Sequence, residues 1–220
     1  MAARAENRAR SEDPAQTPKT DLPQAEIKAA LEALRAGKAV VYPTETFYAL
    51  GVDALSAAAL EHLFALKKRE ADKPTALIAA DARMAFSLAA GVPAAAGRLA
   101  ELFWPGPLTL VLPARPGLPQ VLVGPSGVGV RVSSDPIARA LAAALGRPLT
   151  ATSANLSGEP AATSVEAARA SFRARVAVFI DGGPRASAMP SSVVGFGPDG
   201  LQIIREGVIA RSQLEAAIML

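Results

Sequence analysis

Short apolar runs set the limits on what this chain can fold into. AVVYP, TALIAA, LTLVLP, VGVRV, VAVFID, SSVVGF and LQIIR are each too brief for a helix and are bounded by Pro, Gly or polar turn residues. Such runs read as buried strands. Amphipathic stretches of helical period separate some of them but not all, so strict βαβ alternation is broken. The expectation is an α/β single domain, a twisted mixed β-sheet with flanking helices. Half of the 220 residues are apolar, enough to bury a core of that size.

Helix boundaries follow from capping residues. Asp21 and Gln24 stand at capping-box spacing before Ile27, Leu31 and Leu34, with Gly37 as the stop. Ser56 caps a second helix, and another runs from about Pro93 to Leu102. Asp135 and Pro136 start a helix with Ile137, Leu141 and Leu145 inward, closed by Gly146. Ser164 caps a short helix, and Ser212 with Glu215 is read as the capping box of the last one. Residues 1–22 are rich in Ala, Arg, Pro and acids, so they are expected to form a disordered N-terminal extension to a domain of residues 23–220. This start has no apolar signal region, and no stretch approaches the roughly 20 apolar residues of a membrane span. A soluble cytoplasmic protein is the expectation.

Composition narrows the chemistry. The chain has no cysteine and one histidine, His62. Disulfides, thiol nucleophiles and thiolate metal sites are excluded, and a serine triad or His-based zinc site is disfavoured. Catalysis must then rest on carboxylates, hydroxyls, Lys, Arg, backbone amides or a bound cation. A net charge of +3 suits an anionic ligand without specifying one.

Polar residues cluster in three places. In VVYPTETFYALG, Thr44, Glu45 and Thr46 follow directly on a strand. They either satisfy their own turn or form a ligand wall at a strand's carboxyl end. In LKKREADKP, Lys67, Lys68, Arg69 and Lys73 either cap a helix dipole or gather around an anion such as a triphosphate. In TATSANLSGEP, Ser153 and Asn155 precede Gly158 and either tighten a turn or face a ligand. Arg131 lies inside an apolar strand and Arg205 near the end of another, so each needs a partner from the protein or from a substrate. His62 is read as a surface residue and Trp104 as core. Neither a P-loop nor a Gly-x-Gly-x-x-Gly follows the first strand, so any nucleotide phosphates would be held by dispersed cations.

The blocks YPTETFYALG, KKR with KP, WPGPLTLVL, GVRV, TSANLSG, and SSVV with IIREG occur in one order. Over residues 24–220 this order resembles the YrdC-like threonylcarbamoyl-AMP synthases, in the single-domain TsaC type. The Lys67, Arg69, Ser153 and Asn155 set is the specific part, and these residues are the catalytic candidates. The resemblance implies an open, twisted α/β sheet around a large basic cavity. It also implies a nucleotidyltransferase that joins L-threonine, bicarbonate (or CO2) and ATP into L-threonylcarbamoyladenylate and pyrophosphate. A partner transferase complex would pass the threonylcarbamoyl group to tRNA. By position, Thr46, Arg131, Ser153 and Ser191 would hold threonine, and Arg69, Lys73, Asn155, Thr163 and Arg205 would hold ATP. Lys67 would stand near the phosphates or the carboxylated amine. Mg²⁺ would be carried on the ATP phosphates, with no protein metal site.

The chain departs from the family pattern at several positions. Ala49 stands where glycine is usual, so either its φ is negative or its methyl intrudes on a close approach. Glu45 replaces a commoner aspartate. Ser133 replaces the proline of Arg-x-Pro, which is expected to loosen the turn beside Arg131. Gly127 falls where relatives offer a hydroxyl to ATP, leaving backbone or Ser126. The runner-up reading is a paralogue that binds double-stranded RNA or tRNA in RNA or ribosome maturation. A carbamoyl-transfer relative is a third, lacking the Cys-rich zinc motifs of that larger protein.

Overall fold

The computed structural model describes residues 22–67, 74–187, 189–198 and 200–219. Helix α1 (Gln24–Arg35) leads into the antiparallel hairpin β1 (Val40–Pro43) and β2 (Tyr48–Gly51). Then come α2 (Ala57–Lys67), β3 (Leu77–Ala79), α3 (Ala82–Phe86), α4 (Ala94–Phe103) and β4 (Leu108–Leu112). The short β5 (Val123–Gly124) turns into β6 (Gly127–Val132), followed by α5 (Pro136–Leu145), β7 (Leu149–Thr150) and β8 (Thr152–Ser153). Helix α6 (Val165–Phe172), β9 (Val178–Phe179), β10 (Ser192–Gly197), β11 (Gly200–Arg205) and α7 (Arg211–Met219) complete the order.

The expected mixed sheet is in fact two mixed sheets sewn together. The larger has the order β11-β10-β4-β6-β3-β7, with β5 paired to β6, and the smaller the order β8-β2-β1-β9. In the larger sheet β10 runs parallel to β4 and β3 to β6, and in the smaller β1 runs parallel to β9. The seam is the segment 148–154. Its first half bonds to the chain beyond β2: Ala54 N–H donates to Pro148 O at 3.1 Å, and Thr150 N–H to Val52 O at 3.1 Å. Ala151 N–H then donates to Ala76 O at 2.8 Å, and Ala154 N–H to Tyr48 O at 2.8 Å. One extended segment therefore belongs to both sheets.

Two apolar cores lie on either side of the central strands. Side chains alternate faces along a strand, and β1 shows the consequence. Val40 and Tyr42 join Ile27, Leu34, Leu141 and Ile180 in one core, whereas Val41 joins Leu50, Leu60, Leu63 and Phe172 in the other. Strand β3 divides the same way, with Ile78 in the first core and Leu77 and Ala79 in the second. Burial on both faces is why these strands read as unbroken apolar runs. Each fully buried Leu, Ile or Phe contributes about 1.5–3 kcal/mol.

Several helix ends match the expectation. Ser56 accepts from Ala59 N–H at 3.3 Å, Ser164 from Ala167 N–H at 3.2 Å, and Asp135 from Ile137 N–H at 2.9 Å. Gly37, at φ +73°, ends α1 with Lys38 N–H to Ala33 O and Gly37 N–H to Leu34 O, a Schellman motif. Others differ. The N-cap of α1 is Pro23, with no side-chain hydrogen bond, and Asp21 lies outside the described residues. Helix α7 begins at Arg211, so Ser212 is inside it. Its first turn is closed by Gln213, whose side chain accepts from Ala210 N–H at 3.0 Å, while Glu215 pairs with Arg211 at 3.4 Å. Strand β2 and helix α3, capped by Asp81 on Met84 N–H at 2.7 Å, had no distinct signal in the sequence reading. The expected extension 1–22 falls outside the described residues, apart from Leu22.

Gly127 opens β6 at φ +119°, with the Leu112 carbonyl where a Cβ would sit. That geometry explains why no hydroxyl-bearing residue stands here. Gly127→Ala should lower stability by about 2–3 kcal/mol, from the strained φ and the clash together. Urea unfolding reads this directly, and an unchanged midpoint would contradict the placement.

Candidate functional site

The site forms where the sheets meet. Three side chains of its polar wall come from the ends of different strands: Thr46 from the β1–β2 turn, Arg131 from β6, and Ser153 from β8. Ser191, just before β10, and Arg205, at the end of β11, close it opposite. The polar chamber encloses about 300 Å³. A second chamber of about 490 Å³ adjoins it, walled by Gly124, Ser126, Gly127, Gly129, Val111 and Ile204. Pro74, Thr75, Ala76 and Arg205 line both.

Arg131 is 7 % exposed and is one of two arginines among the described residues that line the polar chamber. Its partner is Glu45, 3.1 Å away, and its guanidinium also lies 3.4 Å from Thr46 Oγ1. Glu45 in turn receives a short hydrogen bond from the Ser133 hydroxyl, which accepts from Asp135 N–H at 3.2 Å. The Ser133 carbonyl accepts from Arg139 at 2.6 Å. Ser133 is therefore fully buried and tied on both sides, correcting the expectation of a loosened turn. Buried cations need such partners because desolvation costs several kcal/mol.

The TET turn serves two ends. Thr44 satisfies its own turn: its hydroxyl donates to Phe47 O at 2.7 Å and accepts from Phe47 N–H at 3.3 Å. Thr46 faces the chamber. Arg185, which the sequence did not single out, locks this corner. Its guanidinium bonds Asp135 at 2.8 Å and Thr44 O at 3.2 Å, and lies 5.7 Å over the Tyr48 ring. Burial raises the pKa of Asp135, an effect opposed by the α5 amides and Arg185. A lone arginine after two glycines offers no period or motif by which to find it.

Arg205 finds its partner in Ser191, donating to the carbonyl at 2.9 Å and the hydroxyl at 3.1 Å. Ser191 Oγ also lies 3.0 Å from Thr109 Oγ1. Burial and then the nearby Arg131 push the Arg205 pKa down. Two mutually repelling guanidiniums beside one cavity provide a field that an anion relieves.

The remaining candidates fall into three groups. Lys67, 3 % exposed, donates to Ser153 O at 2.6 Å and lies 3.3 Å from Asn155 Oδ1. Asn155 also accepts from the Ser153 hydroxyl at 2.5 Å and donates to Glu159 O. In this structure, then, Lys67 and Asn155 brace Ser153 from behind. Thr163 is exposed and is not part of either chamber wall, and its carbonyl accepts from Arg185 N–H at 2.7 Å. Arg69 and Lys73 lie outside the described residues. Ala49 has an extended backbone within β2 and lines the polar chamber, so its methyl is accommodated without left-handed strain. His62 is exposed, and Trp104 packs on Phe86 while donating to Leu108 O at 2.7 Å.

Among the described residues no group of three His, Cys, Asp or Glu could hold a metal, and no helix is long and apolar enough to cross a membrane. The arrangement defines a class: an α/β ligand-binding domain whose hydroxyl-rich cationic chamber opens onto a glycine-lined apolar one.

Comparison with known proteins makes this specific. The family model Sua5_yciO_yrdC, described as "Telomere recombination", matches residues 32–207. A threonylcarbamoyl-AMP synthase of Bacillus subtilis is 37 % identical over 201 residues, covering 90 % of this chain and 58 % of the relative. One from Methylococcus capsulatus is 39 % identical over 169 residues, covering 76 % and 90 %. The crystal structure of Pyrococcus abyssi Sua5 complexed with L-threonine superposes with a TM-score of 0.83 at 37 % identity, covering 87 % of this chain and 57 % of that one. The chain belongs to the Sua5/YciO/YrdC family, and it spans a little over half the length of the B. subtilis and P. abyssi relatives.

The Glu45–Arg131 pair sets an energetic expectation. Glu45→Ala leaves Arg131 buried without its carboxylate, so stability should fall by about 3 kcal/mol in urea titrations. A loss near zero would show that Arg131 is solvated in the free protein.

Proposed function

We propose that this domain makes L-threonylcarbamoyladenylate and pyrophosphate from L-threonine, bicarbonate or CO2, and ATP. The observation that carries the reading is Arg131 in the polar chamber, beside the hydroxyl residues Thr46, Ser153 and Ser191. The planar guanidinium receives the threonine carboxylate, and the short polar side chains suit its hydroxyl and amine. The adjoining chamber takes the nucleoside, whose base lies flat against Gly124, Gly127, Gly129 and Val111. Arg205 then faces the phosphates between the two, and Arg69 and Lys73 are proposed as further phosphate ligands. The solved relative that carries L-threonine supports the assignment of the amino-acid end.

The neutral amine of threonine adds to CO2 and gives up one proton to solvent, and the carbamate oxygen then attacks the α-phosphorus as pyrophosphate leaves. Charge grows on phosphoryl oxygens, so fixed cations and oriented donors lower the barrier without a covalent enzyme intermediate. Among the described residues no carboxylate lines the polar chamber, and Glu45 behind Arg131 is committed to Arg131 and Ser133. That donor set fits Mg²⁺ that enters on ATP, where phosphate oxygens would hold it and it would offset the charge of the departing pyrophosphate. The adenylate is proposed to pass to a transferase complex that modifies tRNA, in the cytoplasm where these substrates meet.

An omission assay tests the reading. Protein, Mg²⁺, ATP, L-threonine and bicarbonate together should release pyrophosphate, and leaving out any one component should abolish it. Release that ignores threonine would defeat the assignment. Salt-steep binding of double-stranded RNA with no pyrophosphate release would favour the RNA-binding paralogue instead. Within the active enzyme, Arg131→Ala should raise the threonine KM about tenfold or more while leaving the ATP KM within about twofold. Equal effects on both would place Arg131 elsewhere.

A further inference from the structure

Among the described residues two buried side-chain oxygens lack a hydrogen-bond partner: Glu45 Oε1, which is ion-paired with Arg131, and Thr75 Oγ1, which carries no charge. Thr75 is 4 % exposed. Other buried threonines differ: Thr44 bonds Phe47 O, Thr46 lies against Arg131, Thr109 against Ser191, and Thr150 accepts from Val52 N–H. An unpaired buried hydroxyl destabilises a protein, so it invites a functional explanation.

Its place supplies one. Thr75 lies in the Pro74–Ala76 segment that lines both chambers. The backbone there is fixed, since the Ala76 carbonyl accepts from Ala151 N–H in the seam, and Leu77 pairs with Val130 of β6 and Thr150 of β7. The side chain is the part that can turn without breaking these bonds. Rotation about χ1 exchanges hydroxyl and methyl, so a threonine can turn a buried hydroxyl toward the cavity at the cost of a rotamer change.

We infer that Thr75 positions the group that spans the two chambers. Resting on the proposed function, that group is the carbamoyl–phosphate linkage: its carbonyl or α-phosphoryl oxygen accepts the Thr75 hydroxyl proton in a hydrogen bond. The bond is made only when both halves of the ligand are joined or aligned for joining. Thr75 transfers no proton and forms no covalent bond. It favours the bridged state over threonine or ATP bound singly, the differential binding that raises turnover. Thr75 is thus a positioning residue for the linkage.

The test uses the full chain and a stable sulfamate analogue of threonylcarbamoyladenylate, in which a sulfamoyl group replaces the cleavable phosphate and its sulfonyl oxygens stand in for the α-phosphoryl oxygens. Thr75→Val should bind this analogue about ten- to hundredfold more weakly by calorimetry, with L-threonine and a non-hydrolysable ATP analogue each within about twofold of wild type. Thr75→Ser should restore the analogue affinity. In turnover, Thr75→Val should lower kcat with both KM values little changed. Without ligand, Thr75→Val should unfold at a higher temperature than wild type, because the unpaired hydroxyl is gone. A merely structural hydroxyl would lower that temperature instead. Unchanged analogue affinity in Thr75→Val, or equal losses for all three ligands, overturns the inference. Failure of the wild-type protein to bind the analogue overturns the functional reading first, and this inference with it.

Discussion

The cavity exists because one segment belongs to two sheets. Residues 148–154 bond to the chain after β2 with their first half, then reach Ala76 and Tyr48 with Ala151 and Ala154. Leu149 and Thr150 pair with β3 of the larger sheet and Thr152 and Ser153 with β2 of the smaller one, so the polar chamber lies where the two sheets part. Ser153 is delivered to that gap from the small sheet and Arg131 from the large one. Register is therefore linked to chemistry, since a one-residue slip would turn every side chain to the opposite face.

A gap lined by guanidiniums would be unstable without internal compensation. The chain supplies it in layers. Glu45 matches Arg131, Ser133 holds Glu45, and the Asp135 amide holds Ser133. Ser191 carries Arg205 on oxygens that bear no formal charge. The first arrangement neutralises a cation and the second leaves one uncompensated, beside the chamber that takes the nucleotide in the proposed reading. Both are built from the chain's own groups, so in the proposed reading they need little reorganisation when substrates bind.

Much of the fold was legible in the sequence because local rules and tertiary packing agree. The Asp135, Ser56 and Ser164 caps stand where a side-chain oxygen next to a periodic apolar stretch predicts them. Where prediction slipped, a competing local interaction prevailed. Gln213 folding back on Ala210 started the last helix one residue before Ser212. The YALG strand was obscured because it is only four residues long and includes Ala and Gly, which favour strands weakly. For the site, residue types were readable in Arg131, Ser153, Arg205 and Thr46, since arginine or clustered hydroxyls at strand ends need partners, whereas Ser191 came only from the family resemblance. Arg185 and Thr75 carried no such mark, because their importance lies in what surrounds them.

The amino-acid sequence by itself determined most element types, the ordered family blocks, and a chemistry free of thiols with a single histidine. These follow from composition and short-range spacing, which act within a few residues. Only the tertiary structure decided that the Glu45 carboxylate meets Arg131, that Lys67 and Asn155 stand behind Ser153, and that Thr75 lies between two chambers with its hydroxyl unpaired. Those relations join residues far apart in the chain, and they are set by strand register and by the cost of leaving buried polar groups without partners.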